Sequence, residues 1–223
     1  MRFYKYLDLI TAAFVAVLII SNIASTKIVS ISALTFDGGT VLFPLAYIFG
    51  DVLTEVYGYK RSRRVIWTGF FWIIIASCIF SLIDWLPAAP GYELSKSFHS
   101  ILGQEPRIVS ASILGAFSGE FTNSFILAKM KLLTRGKWLW TRTIGSTIAG
   151  EAVDTVVFTL IAFLGVLPSD LLLTVIVSNY VFKVGVEVLF TPLTYRVVSF
   201  LKRTENEDYY DWNTDFNPMR TDV

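Results

Sequence analysis

Tyr47-Ile48-Phe49-Gly50-Asp51-Val52-Leu53-Thr54-Glu55-Val56-Tyr57-Gly58-Tyr59 sets two carboxylates inside an otherwise apolar segment and runs directly into Lys60, Arg61, Arg63 and Arg64. On a helix Tyr47, Asp51 and Glu55 recur every four residues, with Thr54 and Gly58 close by, and so form one stripe. In a bilayer an ionisable group at that depth costs roughly 2 to 4 kcal/mol on insertion scales, which marks it by default as part of a functional site. The rest of the chain must supply a polar place for these acids to face.

The composition asks for the same setting. Of 223 residues, 54% are hydrophobic and only 17% charged, and the mean hydropathy is +0.58, far from the mix of a soluble domain. The chain reads as an integral membrane protein whose first partner is the lipid bilayer. A formal net charge of +1 gives no sign of a nucleic-acid partner. The single cysteine, Cys78, lies in an apolar run and the single histidine, His99, in a loop. Together they exclude a disulfide framework and a zinc site of His and Cys ligands within one chain. No Walker-type glycine loop is present, so the chain carries no ATPase of its own; neither a cofactor nor a metal is expected.

A membrane helix needs about 20 mostly apolar residues, and six stretches qualify: Leu7 to Ile28, Thr40 to Tyr57, Val65 to Leu86, Ile108 to Met130, Trp140 to Leu167 and Asp170 to Leu201. The expected fold class is all-α: a polytopic bundle over residues 1–203 and a tail over residues 204–223. The first stretch lacks a small-residue cleavage site and reads as a span, not a signal peptide. Arg2, Lys5, Lys60 to Arg64, Lys129, Lys131, Arg135, Lys137, Arg142, Lys202 and Arg203 fall on one side; only Lys27, Lys96 and Arg107 fall on the other. Because cytoplasmic loops collect Lys and Arg, both termini are expected in the cytoplasm.

Polar residues are unevenly distributed among the spans. The first ends in Ser21, Asn22, Ser25, Thr26 and Lys27, where Asn22 and Thr26 share a face suited equally to helix packing or to a cavity wall. The third is aromatic and uncharged until Asp84, as a surface toward lipid or a second copy of the chain would be. After it, Leu94, Phe98, Ile101 and Leu102 recur at helical spacing, predicting a short external amphipathic helix. Gly50-Asp51, Gly119-Glu120 and Gly150-Glu151 repeat one pattern, a glycine that permits close helix approach followed by an acid. The sixth span adds Asn179, Lys183 and Glu187 four residues apart, then Thr191 and Pro192. The tail is acidic and polar, a composition associated with disorder, although Tyr209, Tyr210, Trp212 and Phe216 temper that expectation.

Within the spans Asp51, Glu120, Glu151, Asp154 and Glu187 stand against one cation, Lys183, with Arg142 at the inner edge of the fifth span. Such a surplus suits a proton relay, a cation site or a ligand rich in hydrogen-bond donors. The plainer reading is that Lys183, Arg142 and hydroxyls neutralise the acids to hold the bundle, with Lys183 and Glu187 satisfying each other across one turn.

With these residues in view the chain resembles the queuosine precursor transporter family, also called the vitamin uptake transporter family, of bacterial inner-membrane proteins. Its most specific likeness is Phe43-Pro44-Leu45-Ala46-Tyr47-Ile48 followed by Gly50 to Lys60. Supporting matches are Ser21-Asn22-Ile23 with Lys27, Arg142 with Ser146-Thr147, Asp154-Thr155 with Phe158, Lys183 with Thr191-Pro192, and Thr214-Asp215-Phe216-Asn217-Pro218. The tail match points to a segment tucked against the inner face. One departure lies in the fourth span, where the family favours glutamine followed three residues later by aspartate and this chain has Glu120 and Asn123. The resemblance implies a six-helix carrier, not an enzyme, that imports 7-cyano-7-deazaguanine and 7-aminomethyl-7-deazaguanine for making the tRNA nucleoside queuosine. It points to a substrate site drawn from Asn22, Tyr47, Asp51, Glu55, Glu120, Asn123, Arg142, Glu151, Asp154, Phe158 and Lys183. A guanine-like edge offers adjacent N–H donors to a carboxylate such as Asp154 or Glu151, and its flat ring suits Phe158, Tyr47 or Tyr180.

Two other readings fit part of the sequence. A substrate-binding subunit of an energy-coupling-factor transporter is also small, helical and free of nucleotide motifs. An intramembrane aspartyl enzyme would use paired acids, but its Gly-x-Gly-Asp signature is absent, since Ile48 and Phe49 precede Gly50-Asp51. The close-packing glycines and the apolar third span also allow a homodimer.

Overall fold

A computed structural model describes residues 4–31, 34–102, 106–165 and 168–219. Arg2, the end of the fifth expected span at Leu167 and the last tail residues, 220–223, lie outside the described residues. The chain forms α1 (Leu7–Ala24), a hairpin of β1 (Ile28–Ile31) and β2 (Leu34–Asp37), a 3₁₀ turn (Gly38–Val41), α2 (Phe43–Tyr57), α3 (Tyr59–Trp85), α4 (Ser95–Leu102), α5 (Pro106–Leu133), α6 (Leu139–Phe163) and α7 (Ser169–Glu205). The six expected spans coincide with α1, α2, α3, α5, α6 and α7, and the amphipathic external helix with α4.

The boundaries differ where local chemistry overrides the apolar run. The first span was expected to reach Ile28, but α1 stops at Ala24 and Ile28 pairs with Asp37 in the hairpin. That small antiparallel pair is an addition to the expected all-helical fold. Pro44 occupies the first turn of α2, where its missing N–H costs nothing. At the other end Gly58 takes φ +87°, turning the chain so sharply that α3 begins at the next residue. Lys60 to Arg64, expected in a loop, therefore lie on the first turns of α3.

Among the described residues, four helices, Leu7–Ala24, Tyr59–Trp85, Leu139–Ala162 and Leu172–Glu205, are long and apolar enough to cross a membrane by length and composition. The two central helices do not meet that measure. Helix α2 has 15 residues, and α5, although 28 residues long, is diluted by Ser110, Ser112, Ser118, Glu120, Asn123 and Ser124. Burial explains the difference, because α2 is inaccessible along most of its length and a helix screened by protein need not be apolar to lipid. Phe14 and Leu18 of α1, Leu53 and Val56 of α2, and Ile66 and Phe70 of α3 form the core on one side of it. Trp67, Phe70, Phe117 and Phe121 stack edge to face between α3 and α5. On the opposite face of α3, Phe71, Trp72, Leu82 and Trp85 are exposed.

Both termini lie at one end of the bundle: Tyr4 donates its hydroxyl to Glu207, and Glu205 accepts the backbone N–H groups of Lys5 and Tyr6. The segment after α7 is docked there. Tyr209 N–H reaches Val56 O, Asp211 receives Tyr59 N–H, Arg63 reaches the carbonyls of Asp215 and Asn217, and Trp67 donates to Pro218 O. The hairpin and α4 lie toward the other end, where Phe36 stacks on Phe182 of α7 at 4.7 Å. There Asp84 of α3 pairs with His99 of α4 at 2.6 Å, the histidine remaining largely exposed.

Candidate functional site

The three glycine-acid steps meet in the middle of the bundle. A Cβ at Gly119 would overlap the Tyr47 hydroxyl and lie 2.6 Å from Asp154 Cβ; one at Gly150 would lie 2.8 Å from Asn123 Cβ and 2.9 Å from Gly119 O; one at Gly50 would lie 2.7 Å from Glu120 Oε2. Missing side chains thus let α2, α5 and α6 approach until their carboxyls share one buried region. Tyr47, Asp51, Glu120, Asn123, Glu151, Asp154, Lys183 and Glu187 are all buried.

Inside this region the charges divide into two groups. Lys183 Nζ lies 2.5 Å from Asp154 Oδ2 and 3.0 Å from Glu151 Oε2, the second contact off the hydrogen-bonding direction. The Phe43 ring sits 5.3 Å from the same ammonium, a cation–π distance. Asp154 and Lys183 of this triad line a small cleft whose wall also includes Phe43, Ser112, Phe158 and Asn179; Glu151 is buried beside them. Thr155 Oγ1 and Asn179 Oδ1, on residues of the same wall, have no hydrogen-bond partner among the described residues. A flat molecule with adjacent N–H donors would find acceptors, an amide and an aromatic ring here.

The second group, Asp51, Glu120 and Glu187, does not line the cleft. Asn123 Nδ2 donates to Asp51 Oδ1 at 2.7 Å, while Asp51 Oδ2 and both oxygens of Glu120 and Glu187 have no hydrogen-bond partner among the described residues. The expected Lys183–Glu187 pair along α7 is replaced by ion pairs from Lys183 across to α6.

Glu55 and Arg142 belong elsewhere. At the terminal end Arg142 binds Glu55 through two hydrogen bonds of 2.7 Å, Lys202 adds a contact of 2.5 Å, and Lys131 lies 3.6 Å away. Asp208 of the tail accepts from Lys131 at 2.6 Å and pairs with Lys202 at 2.9 Å, and Lys131 also donates to the carbonyls of Glu55 and Tyr209. Three cations thus hold two carboxylates and tie α2, α5, α6, α7 and the tail together. Burial alone would push Asp208 up, but hydrogen bonds from Lys131 and Lys202 outweigh it and hold its carboxyl below the ordinary value.

Of the residues the sequence singled out, Asp154, Phe158 and Lys183 line the cleft, Glu151 sits 3.0 Å from Lys183 outside its wall, and Tyr47, Asp51, Glu120 and Asn123 are buried. Glu55 and Arg142 close the terminal end. Asn22 donates back to Leu18 O at 3.1 Å and lines a second cleft, between α1 and α3 and beside α4, that shares only Ser112 with the first among its lining residues. Tyr180 donates to Ile148 O. Sequence reasoning passed over Phe43, whose only signal was its place at the head of the Phe43-Pro44 motif, and Lys131, Lys202 and Asp208, which served there only as loop and tail charge.

Comparison with known proteins adds an independent line. A family model described as "Putative vitamin uptake transporter" matches residues 37–197. The "Probable queuosine precursor transporter" of Bacillus subtilis (strain 168) is 26% identical over 186 residues, covering 83% of this chain and 81% of the relative. The "Queuosine precursor transporter" of Escherichia coli (strain K12) is 23% identical over 198 residues, 87% of each chain. The "Probable queuosine precursor transporter" of Haemophilus influenzae is 26% identical over 125 residues, covering 56% of this chain and 51% of the relative. No solved structure matches.

Proposed function

The chain belongs to the vitamin uptake transporter family, and we propose that it is a multi-pass carrier that imports queuosine precursors across the bacterial inner membrane. It is a membrane transporter rather than an enzyme. In this reading α1, α2, α3, α5, α6 and α7 all cross the bilayer. Helix α5 is roughly 42 Å long at 1.5 Å per residue, more than the roughly 30 Å hydrocarbon core, and α2 is shielded by its neighbours. The Lys- and Arg-rich terminal end faces the cytoplasm by the charge rule, and the hairpin end faces outward.

The cargo in this reading is a 7-deazaguanine base in its 7-cyano or 7-aminomethyl form, and the observation that carries it is the Lys183–Asp154–Glu151 triad beside the Phe158 cleft. Asp154, with Glu151 behind it, accepts the N1–H and exocyclic amine of the guanine-like edge. Phe158 and Phe43 flank the ring, and Asn179 reaches the carbonyl. Lys183 holds the two carboxyl groups in place until the base takes over one of them. The relatives' names favour this cargo over other flat heterocycles. The Glu55–Arg142–Lys131–Lys202–Asp208 cluster is the barrier that separates the cleft from the cytoplasm.

Cells unable to make or import queuosine precursors, given this gene and micromolar base, are expected to regain queuosine in tRNA. Asp154→Asn and Glu151→Gln, inserted at wild-type levels, are expected to lose it. Normal uptake by both variants would end the proposal. Uptake by the purified chain alone in liposomes separates this reading from a subunit that depends on an ATPase module.

A further inference from the structure

The established family and the base cleft leave Asp51, Glu120 and Glu187 without work. They come from α2, α5 and α7, are almost inaccessible, and are electrostatic neighbours of one another. The charged and titratable groups facing them are Glu55 and Tyr47 on α2, Glu151 and Asp154 on α6, and Lys183 on α7. The Lys183 ammonium is already engaged by Asp154 and Glu151, and Glu55 by Arg142 and Lys202. Counted as ions, the five central acids and one lysine would carry a net charge of −4.

Burying an isolated ionised carboxylate is so costly that such a group takes up a proton instead. No N–H or O–H donor among the described residues reaches either oxygen of Glu120 or Glu187. Polar groups around them are also unspent: the Tyr47 hydroxyl and Asn123 Oδ1 are buried with no partner among the described residues. Asn123 ties the cluster together, donating to Asp51 while its carbonyl oxygen is left to accept from an acid. A metal ion is not the occupant this geometry suits, because no group of three or more His, Cys, Asp or Glu among the described residues is arranged to hold one. The occupant chemically matched to unpaired acids in a dry region is the proton.

We propose that Glu120 and Glu187, with Asp51, form a proton-binding site behind the base cleft, and that a proton moves inward with each base. The coupling half of this rests on the transport reading above; the proton site does not. Glu187 stands one helical turn from Lys183, and Glu120 neighbours Glu151 and Asp154. Any change in how the base shares Asp154 and Glu151 with Lys183 is therefore felt at the acids. Each base transferred moves one proton from the outer to the inner side, and no group is left changed at the end of the cycle.

The first test needs no base. In the purified protein at neutral pH, infrared spectra should show a protonated-carboxyl C=O band that weakens in Glu120→Gln and again in Glu187→Gln. A spectrum with no such band, or one untouched by either substitution, overturns the site. The second uses proteoliposomes and radiolabelled 7-cyano-7-deazaguanine. Wild type should accumulate base by about tenfold per unit of inwardly directed proton gradient if one proton accompanies one base. An internal dye should report proton entry with it. Glu187→Gln, which lies outside the base cleft, should keep exchange at equal base concentrations and lose both accumulation and proton entry. Exchange by wild type with no response to the gradient overturns the coupling. Absence of exchange by wild type counts against the transport reading instead, and the infrared arm still decides the proton site.

Discussion

Gly119→Ala adds one methyl group at the point where the acid-bearing helices come closest. The new Cβ would lie 2.6 Å from Asp154 Cβ and 3.0 Å from Gly150 O and would overlap the Tyr47 hydroxyl. The tyrosine can swing away, but Asp154 Cβ and Gly150 O are fixed to the backbone of α6. Reaching ordinary contact distance means parting α5 from α6 by roughly 1 Å. Such overpacking costs about 1–3 kcal/mol, more than the roughly 0.5–1 kcal/mol gained by replacing a helical glycine with alanine. Gly185→Ala on α7 is the matched control, because nothing among the described residues lies within 4 Å of its Cβ position and only the gain remains. On heating the purified proteins, Gly119→Ala should fall below wild type and Gly185→Ala should equal or exceed it. Parting α5 from α6 also shifts Asp154 against Lys183. Losing a charged hydrogen bond of about 1.5–3 kcal/mol predicts at least a roughly tenfold drop in base uptake. Equal stability and equal uptake for the two alanine variants would refute the close approach of α5 and α6 as the basis of the site.

Lys183→Met strands Asp154 and Glu151 without their cation and should destabilise the protein by about 3–5 kcal/mol. Adding Asp154→Asn should restore much of the thermal midpoint but none of the uptake, so parallel recovery of both would contradict the base-binding role. Gly58→Ala puts a Cβ into the Tyr209 ring at a residue with φ +87°, and limited proteolysis should then cut the tail sooner than in wild type while the helices stay protected. Asp208 has its carboxyl held low by Lys131 and Lys202, so its contribution to tail docking is complete above the ordinary value of about 3.9 and is lost as pH falls through the lower folded value. Tail cleavage in wild type and Asp208→Asn should therefore differ at neutral pH and begin to converge only as pH falls below about 4.

Much of the fold could be read directly, because apolar runs of helical length are a strong signal and six of them became helices within a few residues. The misplaced ends have local causes: α1 yields to hairpin pairing at Ile28, and Gly58 leaves no room for a loop before α3. The tail is the clearest case in which composition misleads, since an acidic, polar segment is held by Lys131, Lys202, Arg63 and two glycines at the terminal end, Gly58 and Gly136, against which Tyr209 and Tyr210 pack. The site was legible as an inventory but not as a pairing scheme. Spacing along one helix cannot distinguish Lys183–Glu187 from Lys183–Asp154, because the outcome depends on how closely α6 approaches α7. Likewise Tyr47, Asp51 and Glu55 form one stripe in sequence, yet a rise of six ångströms per four residues carries Glu55 into a cluster of three cations while Asp51 stays among acids. The same stripe therefore spans two electrostatic regimes: a cation-rich seal toward the termini and an acid-rich interior with one ammonium. A carrier needs both, since a barrier must hold its charges paired and a site that loads and unloads must keep some of its polar groups unspent.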